Sequence, residues 1–213
     1  MAGFSSSSRS QQKTFTPPTP QWQREKARQL RVDFVNDLRY GQTKYYSNTS
    51  GPTRTFSVEA DGNCFFRALS VVITGNEISH MRIREEITRH VQNHSDIYRT
   101  FLQSRGGMDT YVRSMRRARE WATDTEIFAA ATFLNTIIEV CSVLRTRNGT
   151  EYQWQTFSPL KERGDPHSRI YICHKYEHFE PIIDVSDGSE RRSMASVVPM
   201  DRRQSVEKKL ASF

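Results

Sequence analysis

No apolar run in this chain approaches the roughly 18–20 residues that a bilayer-spanning helix needs, so no such span is expected. Cysteine is scarce: Cys64, Cys141 and Cys173 are the whole complement of a 213-residue chain. An odd number at unrelated spacings excludes a disulfide framework. It also points to a reducing compartment, cytoplasm or nucleus, where a free thiol survives. No closely spaced cysteine pair exists, and structural zinc is usually built on one. Cys173, His174 and His178 are the nearest approach to a ligand set and fall short of it, so neither metal nor organic cofactor is expected. Zinc-finger, RNP and clustered basic–aromatic motifs are missing too, which makes nucleic acid a poor candidate partner. The first twenty residues are rich in Ser, Thr, Gln and Pro and carry no apolar stretch of the signal-peptide kind. The sequons at Asn48, Asn93 and Asn148 are therefore expected to stay unglycosylated.

Net charge is +7, and its placement is uneven. Residues 1–50 hold eight Lys or Arg against three Asp or Glu, residues 51–185 hold seventeen of each, and residues 186–213 hold six against four. The basicity belongs to the flanks, where it reads first as solvated, solubilising surface. Residues 1–19 have too little apolar surface to order themselves and are expected to form a disordered tail. Ala27, Leu30, Phe34 and Leu38 then recur at three- and four-residue spacing before Gly41. This predicts an amphipathic helix over 20–41 with a glycine stop. A polar linker follows, then a main domain over 53–185 and a basic, irregular tail over 186–213.

Within that domain the pattern gives helices first and strands later. Ile83, Ile87 and Val91 mark a buried helical stripe that Ser79 can cap. A further helical stretch runs from Tyr98 towards Arg119, broken at Gly106-Gly107. Thr123 and Glu126 make a capping box for the next helix. Ile137-Ile138-Glu139-Val140-Cys141 reads as a buried strand, and Ser168–Cys173 and Phe179–Val185 as two more. This order favours a mixed α/β (α+β) layer, a small sheet flanked by helices, over a doubly wound nucleotide fold.

The chemistry concentrates at Asp61-Gly62-Asn63-Cys64-Phe65-Phe66-Arg67-Ala68. Gly62 and Asn63 accept a tight turn. The apolar run from Phe65 onward predicts a buried helix that starts at Cys64. A thiol at a helix N-terminus feels the positive end of the helix dipole, which favours its thiolate. Turn N–H groups at Gly62, Asn63 or Cys64 are candidate donors to an oxyanion. A cysteine nucleophile needs a base. His178 opens the second arm of a hairpin whose first arm is Arg169–Cys173, across the short break Lys175-Tyr176-Glu177. Glu180, two residues on along the strand, shares the face of His178 and can orient its ring.

Three blocks now carry a resemblance. Val58–Ala68 resembles the cysteine box of the ovarian-tumour (OTU) cysteine proteases. Trp121–Ile127 with Ala129, Ala130 and Ala131 is similar to that family's middle block, and His178-Phe179-Glu180 to its histidine box. The resemblance covers about Phe56 to Val185. It implies a papain-like OTU fold and thiol-dependent hydrolysis of isopeptide bonds to ubiquitin or a ubiquitin-like modifier, with ubiquitin or its chains as partner. It also implies a site role for Asp61, the aspartate of the cysteine box. Relatives often carry Asp or Asn where Glu180 stands, a departure that alters the reach of the orienting group. Cys141 and Cys173, set in apolar strands, read as small buried hydrophobes. The alternative to an enzyme is a catalytically inactive, ubiquitin-binding scaffold module, which would have no need of Asp61, Cys64 and His178 together. A fragment from Arg54 to Val185 is expected to hold every catalytic group, with the Leu30, Phe34 and Leu38 stripe able to dock on it.

Overall fold

Eleven residues from Cys64 to Thr74 form helix α2, and all of them except Arg67 are buried. A helix that is apolar all round belongs in the middle of a core. In this computed structural model, which describes residues 12–35, 38–160 and 168–187 and the backbone of 198–200, α2 occupies that place. In chain order the elements are β1 (Gln12–Phe15), α1 (Pro20–Leu30), β2 (Lys44–Ser47), β3 (Pro52–Phe56) and α2. Next come α3 (His80–Asn93), α4 (Ser95–Leu102), a 3-10 turn (Gln103–Arg105), α5 (Gly107–Met115) and α6 (Asp124–Leu134). Strands β4 (Ile137–Thr146), β5 (Gly149–Phe157), β6 (Arg169–Lys175), β7 (His178–Val185) and β8 (Val198–Met200) complete the order.

The main sheet runs β5-β4-β6-β7-β3-β8. β4 pairs with β6 and β3 with β8 in parallel, while the other neighbours are antiparallel. α2 packs on β7 on one side and on α1 and α3 on the others. This is the mixed α+β layer expected from the order of elements. The stripe Ile83, Ile87 and Val91 is buried, and the Thr123–Glu126 capping box is formed. Ser79 does occupy the N-cap of α3, but its side chain makes no capping bond. No helix among the described residues is long and apolar enough to cross a membrane.

The N-terminal third differs from expectation in three respects. α1 stops at Leu30, not near Gly41. Arg31 adopts a left-handed conformation, φ 55°, and the Arg31 and Val32 N–H groups return to Arg28 and Ala27 carbonyls. That is a Schellman ending, made with arginine where glycine is commoner. Phe34 and Leu38 still pack on the core from outside the helix. Gly41 is a point of close approach: its N–H donates to the Ile183 carbonyl, and a Cβ there would collide with Asp184.

Second, residues 12–15, assigned above to a disordered tail, form β1. Strand β1 pairs with β2, a strand inside the stretch read as a linker. Phe15 is fully buried against Tyr171 with ring centroids 4.5 Å apart, and Lys13 reaches the buried Glu139 at 3.0 Å. Third, Trp22, Ala27 and Leu30 belong to the same core as α2. Strand β5 was not anticipated, since its alternation is mostly polar. The residues expected to form a tail after 187 lie outside the described residues, apart from the backbone of β8.

Trp22, Ala27 and Leu30 are therefore built into the core around α2, and Phe15 and Tyr46 into a second core against Tyr171 and Ile182. Full burial of a large apolar side chain contributes about 1.5–3 kcal/mol. Removing Phe15, Trp22, Leu30 and Tyr46 then costs an amount comparable with the whole stability of a domain, about 5–15 kcal/mol. A chain beginning at Arg54 is expected to lose its cooperative thermal transition, and one beginning at Gln12 to keep it. Circular dichroism melts of the two would show the difference.

Candidate active site

The turn before α2 is shaped by what surrounds it. Asn63 is the N-cap residue, and the Cys64 N–H donates to the Asp61 carbonyl at 3.1 Å. A Cβ on Gly62 would run into the backbone of Arg119, so only glycine lets the two segments pass. The Asn63 Oδ1 accepts from the Arg119 N–H at 2.8 Å and from Arg84 at 2.9 Å. Cys64 itself is 3% exposed, at the first position of the helix.

His178 approaches from the sheet. Strands β6 and β7 meet in a two-residue turn, Tyr176-Glu177, with φ of 50° and 60°, and Lys175 pairs with His178 across it. Two consecutive left-handed residues define the tight hairpin turn whose twist suits antiparallel strands. Asparagine and glycine usually supply that geometry, so Tyr and Glu hold it at some strain. His178 is near enough to Cys64 for the thiol to favour its charged form, and its Nε2 lies 3.6 Å from Glu180 Oε1. These contacts outweigh burial and push the imidazole up to about 9. Glu180 in turn accepts from the buried Thr55 Oγ1 at 2.9 Å. Burial opposes ionisation of Glu180, but the nearby His178 and the Thr55 hydroxyl prevail and hold its carboxyl below the ordinary range.

The candidate residues thus separate into two groups. Cys64, His178 and Glu180 converge. Asp61 faces the other way. Its Oδ1 accepts from the Asn63 N–H and Arg67 Nε, and its Oδ2 from Asn63 Nδ2 and Arg67 Nη2. These bonds more than offset burial and hold Asp61 at about 2. The same bonds bear on the oxyanion donors. The Asn63 N–H is already committed to Asp61, and the Cys64 N–H to the Asp61 carbonyl. Of the three, the Gly62 N–H alone donates to no group among the described residues.

Beside this array lies an open cleft of about 700 Å³, walled by Trp121, Ile127, Phe157, His174 and Phe179, with Asp124 at its side. His174 lies flat on Phe179, ring centroids 4.4 Å apart, and burial lowers its pKa. Its ring is thereby occupied in the cleft wall. Cys141 and Cys173 are buried in the sheet, and burial raises both thiols, Cys173 to about 12. Among the described residues no group of three or more His, Cys, Asp or Glu side chains converges as a metal site.

A turn-borne thiol at a helix start, a hairpin histidine and a carboxylate behind it form a cysteine-protease arrangement. The family model of the OTU-like cysteine proteases matches residues 59–180. The chain belongs to the OTU family. The Arabidopsis thaliana protein "OVARIAN TUMOR DOMAIN-containing deubiquitinating enzyme 7" is 24% identical over 159 residues, covering 74% of this chain and 40% of that protein. Human "OTU domain-containing protein 1" is 25% identical over 95 residues, covering 45% of this chain and 19% of that protein. The chain thus spans less than half the length of either relative. Among solved structures, the OTU domain of OTUD1 superposes with a TM-score of 0.53 at 20% identity, over 62% of this chain and 85% of that one. The Hazara virus OTU bound to ubiquitin superposes with a TM-score of 0.50 at 17% identity, over 72% of this chain and 92% of that one. These likenesses establish the OTU fold.

Several residues around the candidate site escaped the sequence reading: Thr55 behind Glu180, Arg67 on Asp61, and Arg84 beneath the turn. For Arg84 a signal was available. Arg84, Thr88 and Val91 follow helical spacing on the inward face of α3, and all three are buried. A charge inside an apolar stripe calls for a partner.

The raised imidazole pKa has a direction that can be tested. A group whose folded pKa lies above its free value of 6.5 stabilises the fold fully below that value. The contribution is lost as pH climbs through about 9. In NMR titrations the His178 ring is expected to titrate near that pH. The midpoint should move down in both Cys64→Ala and Glu180→Gln proteins, each of which removes one of its partners.

Proposed function

We propose that this OTU protein is a cysteine-dependent deubiquitinase that cleaves the isopeptide bond between the C-terminus of ubiquitin and a lysine side chain. The contact of His178 with both Cys64 and Glu180 carries the reading. Homologues named as deubiquitinating enzymes, and an OTU relative captured with ubiquitin, support the choice of substrate. A free Cys64 thiol also suits a reducing compartment, cytoplasm or nucleus.

The reaction follows from the geometry. Cys64, as thiolate paired with the His178 imidazolium, attacks the isopeptide carbonyl carbon, and the carbonyl electron pair moves onto oxygen. The free Gly62 N–H and the positive end of α2 stabilise that oxyanion. On collapse the C–N bond breaks and His178 gives its proton to the departing lysine nitrogen, leaving a thioester. Neutral His178 then takes a proton from water, the hydroxide adds to the thioester, and Cys64 leaves as thiolate with the acid product. Glu180 keeps the imidazolium in place and is itself held by Thr55. Asp61 braces the turn through Asn63 and Arg67 instead of touching the histidine. The cleft beside Trp121 and Phe179 offers an apolar wall to an extended substrate segment.

Cleavage of di-ubiquitin by purified protein tests this directly. Cys64→Ala is expected to abolish it, while Cys141→Ala and Cys173→Ala remain active. His178→Ala should lower turnover by a factor on the order of 10² or more, and His174→Ala far less. An electrophile placed at the ubiquitin C-terminus should add at Cys64, as peptide mass spectrometry would show. Hydrolysis by the Cys64→Ala protein at the wild-type rate would defeat the assignment.

A further inference from the structure

Arg84 is fully buried, and among the described residues no carboxylate lies within ion-pair distance of it. A desolvated guanidinium bonded mainly to carbonyls is costly, and the acidic groups Glu126, Glu120 and Asp61 act on it only from beyond ion-pair distance. Its Nη2 meets three acceptors: the Gly62 carbonyl at 2.9 Å, Asn63 Oδ1 at 2.9 Å and the Glu120 carbonyl at 2.7 Å. Its Nη1 reaches the Met115 carbonyl at 3.5 Å, and its plane lies over the Phe66 ring at 4.2 Å. Nε has no hydrogen-bond partner among the described residues. The group is thus shared among the turn before Cys64, the helix that follows it and the segment from Met115 to Glu120.

We propose that Arg84 is a positioning residue for the oxyanion turn, holding the Gly62–Asn63 peptide with its carbonyl turned away from the site, so that the Gly62 N–H of the preceding peptide is left as the donor to the substrate carbonyl. This rests on the hydrolase reading given above. The peptide is trans and planar, so its C=O and N–H point in opposite directions. With the carbonyl pinned inward by Arg84, the N–H at the other end points to the Asp61 carboxylate. Asp61 and Arg84 therefore grip the two ends of one peptide unit. Gly62, having no side chain, is the residue most able to let that peptide turn. Were it to turn, a carbonyl oxygen would be free to face the site, an acceptor where charge develops on oxygen. The same cation holds the Glu120 carbonyl, fixing the strand of backbone that crowds Gly62. In that strand Arg119 is strained at φ 69°.

The test separates hydrolysis, which forms an oxyanion, from alkylation of the same thiol by iodoacetamide, which does not. Full-length wild type, Arg84→Lys and Arg84→Met are compared at a temperature where circular dichroism shows each folded. Hydrolysis is followed with a fluorogenic ubiquitin C-terminal amide, and alkylation by mass at Cys64. We expect kcat to fall about tenfold for Lys and on the order of 10²-fold for Met, with KM and the Cys64 alkylation rate within about threefold of wild type. Where the Met variant does not fold, the Lys variant decides. Unchanged kcat in a folded variant overturns the proposal. So does a proportional fall in kcat and alkylation, which would place Arg84 with the nucleophile and not the oxyanion. Failure of both variants to fold overturns it as well, making Arg84 a support of the core. Wild type that alkylates at Cys64 but hydrolyses no ubiquitin substrate would instead remove the hydrolase reading itself.

Discussion

One aromatic contact aligns the two halves of the site. Phe65 and Phe179 meet edge to face, ring centroids 5.6 Å apart, both buried in the main core. Phe65 follows Cys64 at the start of α2, and Phe179 follows His178 at the start of β7. Because each ring is one residue from a candidate catalytic group, the packing that seats α2 on the sheet also sets the distance between thiol and imidazole. Apolar burial gives no direction by itself. Here direction comes from the shape of two interlocked rings and from a helix buried on every side, which has no freedom to roll. The chemistry is thus placed by the core, and the hydrogen bonds around it refine a position already imposed.

Two carboxylates flank that alignment, and surroundings alone divide their work. Asp61 and Glu180 are both ionised in spite of partial burial. Asp61 spends its oxygens on Asn63 and Arg67, which anchors the turn to α2. Glu180 spends one on Thr55 and presents the other to His178. A shorter acid at that position would have to be brought closer by the sheet. The longer glutamate is instead held back by Thr55 on the neighbouring strand, and its 3.6 Å approach to the ring reflects that tether. Electrostatic assignment of roles follows from donors, not from residue type.

What the sequence made legible was mostly local. The helix starting at Cys64, the capping box at Thr123 and Glu126, the hairpin turn before His178 and the buried strands each depend on neighbours within a few positions. The hidden features depend on distance along the chain. Thr55 meets Glu180 across 125 positions, and Arg84 meets Gly62 across 22. No short-range pattern announces such pairs. The end of α1 failed for another reason. Phe34 and Leu38 continue the spacing of Ala27 and Leu30, and apolar spacing reports which residues are buried without fixing the backbone that buries them. Arg31 can take a helix-ending conformation that composition gives no cause to expect. The N-terminal strand escaped for a similar reason, since four residues pairing with a distant hairpin partner bury only Phe15.

The distribution of unfavourable geometry shows where the fold is under constraint. Among the described residues five non-glycine positions have left-handed φ. Arg31 and Asn135 end helices, where such a residue satisfies otherwise unpaired carbonyls. Arg119, Tyr176 and Glu177 end none, and all three border the site: Arg119 against Gly62, the other two in the turn that delivers His178. Arg84, buried without a bonded carboxylate, lies directly beneath. Each such feature costs on the order of 1–3 kcal/mol and persists only where the surroundings over-determine it. Arg119 and Tyr176 are exposed, so the strained positions lie at the rim of the site and not in its core. The interior meets the expense through α2 and its ring of packed helices, so rigidity at the centre lets the edge of the active site remain strained and still hold one form.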